Sequence, residues 1–295
     1  MNKILQGDCL DIMKDIDNDT FDIIVSSPPY NIGINYNTYE DKKVDYIDWQ
    51  VKVWEEAFRV LKPTGHLFLN IQPSRKNPLW CYELVSKLSW KLQNTIIWNK
   101  QLEIDNHIRG QGTSFQSEKY LPNGWEFIFH LTRKGNTKIS QEKSGVAYQP
   151  KYAKENRERY NIGGVRPTVN TWYIPYETIG NGKISNDKLK GGHPAVFPRE
   201  LVRKCIKLSG LENGTLFDCF AGSGTSLIAA KEMGLDYFGC DLDKDYVEFM
   251  RNRLDKVEQP LIMWEKFGWY KKKISYRKRK TRSSKKVANG TLSTK

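Results

Sequence analysis

No apolar run in the 295 residues approaches the roughly 18 that a membrane-spanning helix needs, so no such helix is expected. Cysteine is scarce, and the five, at 9, 81, 205, 219 and 240, make no CxxC pair. That argues against a disulfide framework or a thiolate zinc site. The four histidines are scattered and no HExxH occurs, so no metal centre is expected. The opening MNKILQGDCLDIMKD turns polar within a few residues, which does not fit a secretory signal. A reducing, cytoplasmic setting is the expectation. Acidic residues are absent from 271–295, although that stretch holds 11 of the 47 Lys and Arg. The residues before it carry 36 basic against 34 acidic side chains, so almost all of the +13 formal charge belongs to the tail. A stretch of this kind reads either as a polycationic arm for phosphates or as a disordered solubilising end.

What is present is a globular composition, 39% hydrophobic and 27% charged. The length suits one large α/β domain with room for an inserted lobe. FDIIVS (21–26) is a short run rich in β-branched residues, suited to a strand buried on both faces. Ile47, Val51, Trp54, Phe58 and Leu61 recur at helical spacing, and Lys62-Pro63-Thr64-Gly65 reads as the stop. HLFLNIQ (66–72), NTIIWNK (94–100) and WEFIFHLTR (125–133) read as further strands, with a helix near 79–90. Residues 101–124 read as a loop. Residues 135–190 show little periodicity and read as an insertion. Pro198 is expected at the first position of a helix that stops at Ser209-Gly210. TLFDCF (215–220), DYFGCDLD (236–243) and the helices after them complete a strand–helix alternation, which predicts a mostly parallel, doubly wound sheet.

Two local patterns carry chemistry. Phe220-Ala221-Gly222-Ser223-Gly224-Thr225 links a strand to a helix, where glycines allow close approach and helix N–H groups are unpaired. Asp241 lies 19 residues after Gly222, at the end of the next strand, where a carboxylate can accept ribose hydroxyls. Position 227 is Leu, so the third glycine of the dinucleotide fingerprint is missing and an adenosine cofactor without pyrophosphate is preferred. The second pattern is Ser27-Pro28-Pro29-Tyr30. Two prolines remove donors and present rigid carbonyls beside a hydroxyl and a flat ring. An exocyclic amine of a base calls for such a cluster. Singly, each pattern is also what an ordinary βα turn or proline turn would give.

Together and in order they resemble the amino-methylating DNA methyltransferases that modify cytosine N4 or adenine N6, in the circularly permuted β arrangement. The resemblance runs from Ile4 to about Leu254 through QGDCLDIM (6–13), SPPY, RVLKPTG, HLFLNI, IIWNK (96–100), WEFIFHLTRKG (125–135), GGHPAVFPRELV (191–202), FDCFAGSGTSLIAA (217–230) and GCDLD (239–243). It implies a Rossmann-like methyltransferase fold with an inserted target-recognition region. The implied division is a catalytic part at 1–135, a target-recognition insertion at 136–190, a cofactor part at 191–265 and a basic tail at 266–295. It implies S-adenosyl-L-methionine as methyl donor and a flipped base in double-stranded DNA as acceptor. Ser27, Pro28, Pro29 and Tyr30 are the implied catalytic residues. Asp8, Asp218, Phe220, Gly222, Ser223, Gly224, Thr225, Asp241, His193 and Phe197 are implied around the cofactor.

Lys151, Arg157, Arg159, Tyr160, Arg166 and Asn170 are candidate DNA contacts, for base edges or for phosphate. Ser at the first motif position favours cytosine N4 in this family, with adenine N6 as the alternative. No Pro-Cys dipeptide occurs, so the cysteine route to carbon-5 of cytosine is not expected. A restriction–modification setting with a cognate endonuclease, and a monomer or homodimer, fit the resemblance. The rivals are a methyltransferase for RNA or a protein amide, and a non-catalytic DNA-binding protein.

Overall fold

The computed structural model describes residues 1–31, 44–74, 77–104, 107–110, 117–147, 165–175 and 197–257. One compact unit spans Met1–Leu261; a second, Ile262–Lys295, lies outside the described residues, and the basic tail with it. The strands of the principal sheet are β1 (Asn2–Gln6), β2 (Phe21–Ser26), β3 (Leu61–Ile71), β4 (Lys91–Asn99), β7 (Trp125–Thr132), β10 (Thr171–Tyr173), β11 (Thr215–Asp218) and β12 (Asp236–Asp241). Two antiparallel pairs, β5 (Gln101–Ile104) with β6 (His107–Gly110) and β8 (Val146–Ala147) with β9 (Val165–Arg166), form separate two-stranded sheets. The described helices are α1 (Cys9–Lys14), α2 (Tyr46–Val60), α3 (Trp80–Lys87), α4 (Gln141–Ser144), α5 (Arg199–Ser209), α6 (Thr225–Glu232) and α7 (Lys244–Asp255).

The sheet order is β1-β12-β11-β2-β3-β7-β4-β10, parallel except for β7, which runs antiparallel to both neighbours. Side chains alternate across it as strand geometry requires. Ile24 joins a core with α1, α2 and α3 on one face, while Ile23 and Val25 join a core with α5, α6 and α7 on the other. Burial on both faces is why FDIIVS reads as a continuous apolar run. The mostly parallel, doubly wound architecture expected from the sequence is the one observed.

Several local expectations need correction. The buried positions of α2 are Tyr46, Gln50, Val53, Trp54, Ala57 and Val60, whereas Ile47, Val51 and Phe58 lie at its rim. Leu61 is not a helical residue but the first of β3. Lys62-Pro63-Thr64-Gly65 is a bulge in that strand rather than a linker: Phe21 pairs with Leu61 and Ile23 with His66, so four residues oppose Asp22 alone. Lys62 Nζ binds Asp22 Oδ1 at 2.7 Å across it. Residues 101–110 are not an unstructured loop, since they contain the β5–β6 hairpin. Thr171–Tyr173, inside the stretch read as an insertion, adds an edge strand to the principal sheet, with Trp172 only 2% exposed. Pro198 is the N-cap of α5 rather than its first residue, and Gly210 closes that helix at φ 77°.

Candidate active site

Parallel pairing of β11 with β2, Leu216 beside Ile23 and Phe217 beside Ile24, brings the C-terminal ends of the two strands to the same edge of the sheet. The chain order reverses here, with β12 and β1 on one side and β3 on the other. Crevices at such reversals are where open α/β sheets bind ligands. Ser27–Tyr30 leaves β2 and the 219–224 turn leaves β11, so the two motifs arrive side by side. Ser26 Oγ donates to Asp218 Oδ1 at 2.6 Å and ties the two strand ends together.

Asp218 is 1% exposed, and its carboxylate also accepts from Phe220 N at 3.1 Å and from Ser226 Oγ on α6. Burial pushes its pKa up to about 6 against these hydrogen bonds, which pull it down. Enclosed at 1% exposure and bonded to Ser26, Phe220 N and Ser226, it braces the turn from within. Gly224 is the left-handed N-cap of α6, at φ 76°. Arg253 donates to the Ser223 carbonyl and, at 3.5 Å, to Thr225 Oγ1, and Ser223 Oγ lies 3.2 Å from Thr225 Oγ1.

Asp241 closes β12. Its Oδ2 accepts from Gly222 N at 2.8 Å and its Oδ1 from Asp243 N at 2.9 Å. Burial raises its pKa above the usual carboxylate value. Each oxygen has a second lone pair, so an oriented carboxylate can still accept hydroxyl groups, as a ribose requires. Asp8 stands at the neighbouring strand end, exposed, and N-caps α1 through Leu10 N at 2.8 Å. Gly7 N bonds the Asp241 carbonyl at 3.0 Å, which keeps Asp8 and Asp241 on adjacent strand ends. Asp8, Leu10 and Trp49 line part of an open groove of about 670 Å³, whose other walls are the charged Asp11, Lys14, Lys52, Glu55 and Glu56 and which neither Asp241 nor the glycine turn lines. Trp49 meets the Phe220 ring edge-on at 5.8 Å. Two carboxylates at adjacent strand ends, a glycine turn at the end of the next strand and aromatic rings at one side form a donor set that fits an adenosine-type cofactor.

The SPPY segment is fixed from α2. Trp54 Nε1 donates to Gln50 Oε1 at 2.6 Å, Gln50 Nε2 to Tyr46 Oη at 3.2 Å, and Tyr46 Oη to the Pro29 carbonyl. This i,i+4 ladder explains why a buried Gln sits on the packed face of that helix. It also occupies the Pro29 carbonyl, whereas among the described residues none donates to the Pro28 carbonyl. Tyr30 Oη lies 3.0 Å from Ser27 Oγ and donates to Glu126 Oε2 at 3.0 Å. Glu126 also accepts from Asn70 Nδ2 at 2.8 Å and from Lys100 Nζ at 2.7 Å. Sequence reading passed over Glu126, Asn70, Lys100 and the α2 ladder. The available signal was a lone carboxylate in the apolar strand WEFIFHLT, since an unpaired one would be costly there.

Cys9, Cys219 and Cys240 are buried and pack between the strand ends; burial pushes Cys9 up to about 12 and the other two well above a thiol's usual value. Phe197 is partly buried against the α5–α7 core, and His193 lies outside the described residues. So do Lys151, Arg157, Arg159 and Tyr160. Arg166 is exposed on β9, and Asn170 is engaged in the sheet, its Nδ2 donating to the Thr95 carbonyl at 3.0 Å. No group of metal ligands and no helix long and apolar enough to cross a membrane occurs among the described residues.

Comparison with known proteins agrees with this geometry. The N6/N4 DNA methylase family model matches residues 21–252. The type II methyltransferase M.ScaI of Streptomyces caespitosus is 26% identical over 270 residues, 88% of this chain and 83% of that protein. M1.MboII of Moraxella bovis is 27% identical over 270 residues, covering 86% and 98%. The cytosine-N4-specific PvuII DNA methyltransferase superposes with a TM-score of 0.64 at 15% identity, covering 85% and 86%. M1.HpyAVI, solved with S-adenosyl-L-methionine, has a TM-score of 0.53 at 17% identity, covering 86% and 100%. The SPPY bend and the glycine turn meet at one crevice of a sheet shared with these enzymes, and the chain belongs to the N6/N4 DNA methylase family.

Proposed function

We propose that the protein transfers a methyl group from S-adenosyl-L-methionine to the exocyclic N4 of cytosine at a defined site in double-stranded DNA. The observation that carries this is the Ser26–Asp218 hydrogen bond, which joins the amine-binding bend to the cofactor turn. Bound S-adenosyl-L-methionine supplies an electrophilic methyl on a sulfonium. Asp241 and the Gly222–Gly224 turn hold it, with Asp8 and Phe220 on the adenosine side. Ser27 Oγ and the Pro28 carbonyl accept the two amine N–H groups, which favours a pyramidal nitrogen with its lone pair aimed along the transfer line. The bound donor would supply the methyl to the amine nitrogen with its bonding pair staying on sulfur, and the surplus amine proton would pass to solvent. Positioning and electrostatics supply the rate, without a covalent enzyme intermediate. Tyr30 stacks on the extruded base and offsets part of the few kcal/mol of unstacking.

On this reading the chain is circularly permuted, because β11 and β12, late in the chain, stand between β1 and β2. Residues 136–190 outside β10 read the target sequence, and 271–295 add phosphate contacts. A restriction–modification setting in the cytoplasm fits the type II relatives. Ser at position 27 favours cytosine, and the type II relatives and intact site disfavour RNA, protein or non-catalytic alternatives. Digestion and mass spectrometry of DNA from expressing cells, with single-molecule methylome sequencing for the site, tests it. N4-methylcytosine is expected. N6-methyladenine alone would reassign the base, and no new methylation would overturn the function.

A further inference from the structure

Glu126 is the second residue of the apolar strand β7, 6% exposed, beside the substrate end of the SPPY bend. Its Oε1 takes the Lys100 ammonium at 2.7 Å in an ion pair whose side chains are 8% and 14% exposed. Its Oε2 takes Asn70 Nδ2 at 2.8 Å and Tyr30 Oη at 3.0 Å. A carboxylate so surrounded only accepts. Tyr30 is therefore the donor in its contact with Glu126. Its other nearby acceptor, the Asn70 carbonyl at 3.4 Å, imposes the same direction. Burial and the Glu126 charge hold the Tyr30 phenol well above its ordinary pKa, so the proton stays on it. A phenol has one proton, and this one points away from Ser27. In the 3.0 Å Ser27–Tyr30 contact the donor must then be Ser27. The only proton of the Ser27 hydroxyl is turned inward, and only lone pairs face the crevice.

We infer that Glu126 is a positioning residue which, through Tyr30, sets the Ser27 hydroxyl as a pure acceptor, so that the site takes an exocyclic amine and rejects a carbonyl oxygen in its place. The inference rests on the proposed methyl transfer at Ser27 and adds a basis for base selection. Lys100 makes the isosteric variant informative. In Glu126→Gln the ammonium draws the amide oxygen, leaving the amide NH₂ toward Tyr30. Tyr30 then accepts from the amide and turns its own proton to the nearer of its two remaining acceptors, Ser27 Oγ at 3.0 Å rather than the Asn70 carbonyl at 3.4 Å, which turns the Ser27 proton outward against the amine.

The test uses the full chain and a duplex carrying its mapped site. The same duplex is also made with the target base replaced by its deaminated form, uracil for cytosine or hypoxanthine for adenine. Glu126→Gln is expected to lower kcat on the order of 30–100-fold with little change in cofactor affinity. Tyr30→Phe keeps the ring and lets Ser27 rotate, so Glu126→Gln should add less than about threefold in the Tyr30→Phe background. Wild type should bind the amine duplex more tightly than the oxo duplex, on the order of tenfold, and both single variants should shrink that ratio. Equal effects of Glu126→Gln in both backgrounds, or an amine-to-oxo ratio unchanged in the variants, overturns the inference. Should Glu126→Gln not fold, the ratio in Tyr30→Phe decides alone. If wild type transfers no methyl to DNA, the proposed function fails instead, which is a separate result.

Discussion

Asp218 gives the most quantitative prediction. Its carboxyl is fully enclosed and titrates near 6 in the fold against 3.8 when solvated. Below pH 3.8 both states are protonated and there is no effect. As pH rises from 3.8 to about 6 the unfolded chain ionises first, so stability is lost over that window and levels off above it. The gap corresponds to about 3 kcal/mol at neutral pH. Asp218→Asn cannot ionise and keeps an acceptor for Ser26 Oγ and Phe220 N. His66 and His130 act in the opposite sense: burial lowers them to about 4 and about 3, so they cost stability as pH falls below 6.5. The readout is therefore the difference between wild type and Asp218→Asn, which cancels the histidines. Urea unfolding at several pH values from 4 to 7 should show wild type losing about 2 kcal/mol relative to the variant as pH rises. A difference that stays flat, or grows the other way, would refute the assignment of Asp218 as a buried brace.

Gly224→Ala would place a side chain at φ 76° and drive its Cβ into Met250 on α7, which predicts a loss of about 2–5 kcal/mol by thermal or chemical unfolding. Asp241→Asn puts a donor among the backbone N–H groups of Gly222 and Asp243, so calorimetry should find S-adenosyl-L-methionine bound on the order of tenfold or more weakly; unchanged affinity would remove Asp241 from the cofactor site. Trp172→Ala should cost about 3–5 kcal/mol, because that ring is buried and its Nε1 bonds the Val169 carbonyl at 2.9 Å. A change below about 1 kcal/mol would mean that β10 is not part of the core.

Legibility in the sequence followed the range of the cause. FDIIVS was read to the residue, because burial on both faces writes itself into composition. The Gly222–Thr225 turn and Asp241 were legible because a close backbone approach and a strand-end acid leave fixed residue types at fixed spacing. The Lys62–Gly65 bulge was not, since a proline and a glycine announce a break without saying whether it falls between elements or inside one. The packed face of α2 was misphased because Gln50, a polar residue, is buried to hold Tyr46, whose hydroxyl reaches the Pro29 carbonyl 17 residues back in the chain. Trp172 sits in a three-residue strand too short to show any period. Glu126 was overlooked because its partners, Tyr30, Asn70 and Lys100, come from three separate parts of the chain and meet only in the folded sheet.

The pairing of β2 with β11 also sets a timetable for biosynthesis. The two residues that tie them, Ser26 and Asp218, are 192 positions apart. At 5–20 residues per second, the ribosome delivers the second roughly 10–40 s after the first. Throughout that interval one edge of β2, a strand buried on both faces in the finished sheet, has no native neighbour, and it is the kind of edge that recruits foreign strands. The enzyme's central seam thus closes only after every strand but β12 has been made, and its yield in a cell will depend on what shelters that edge while translation runs.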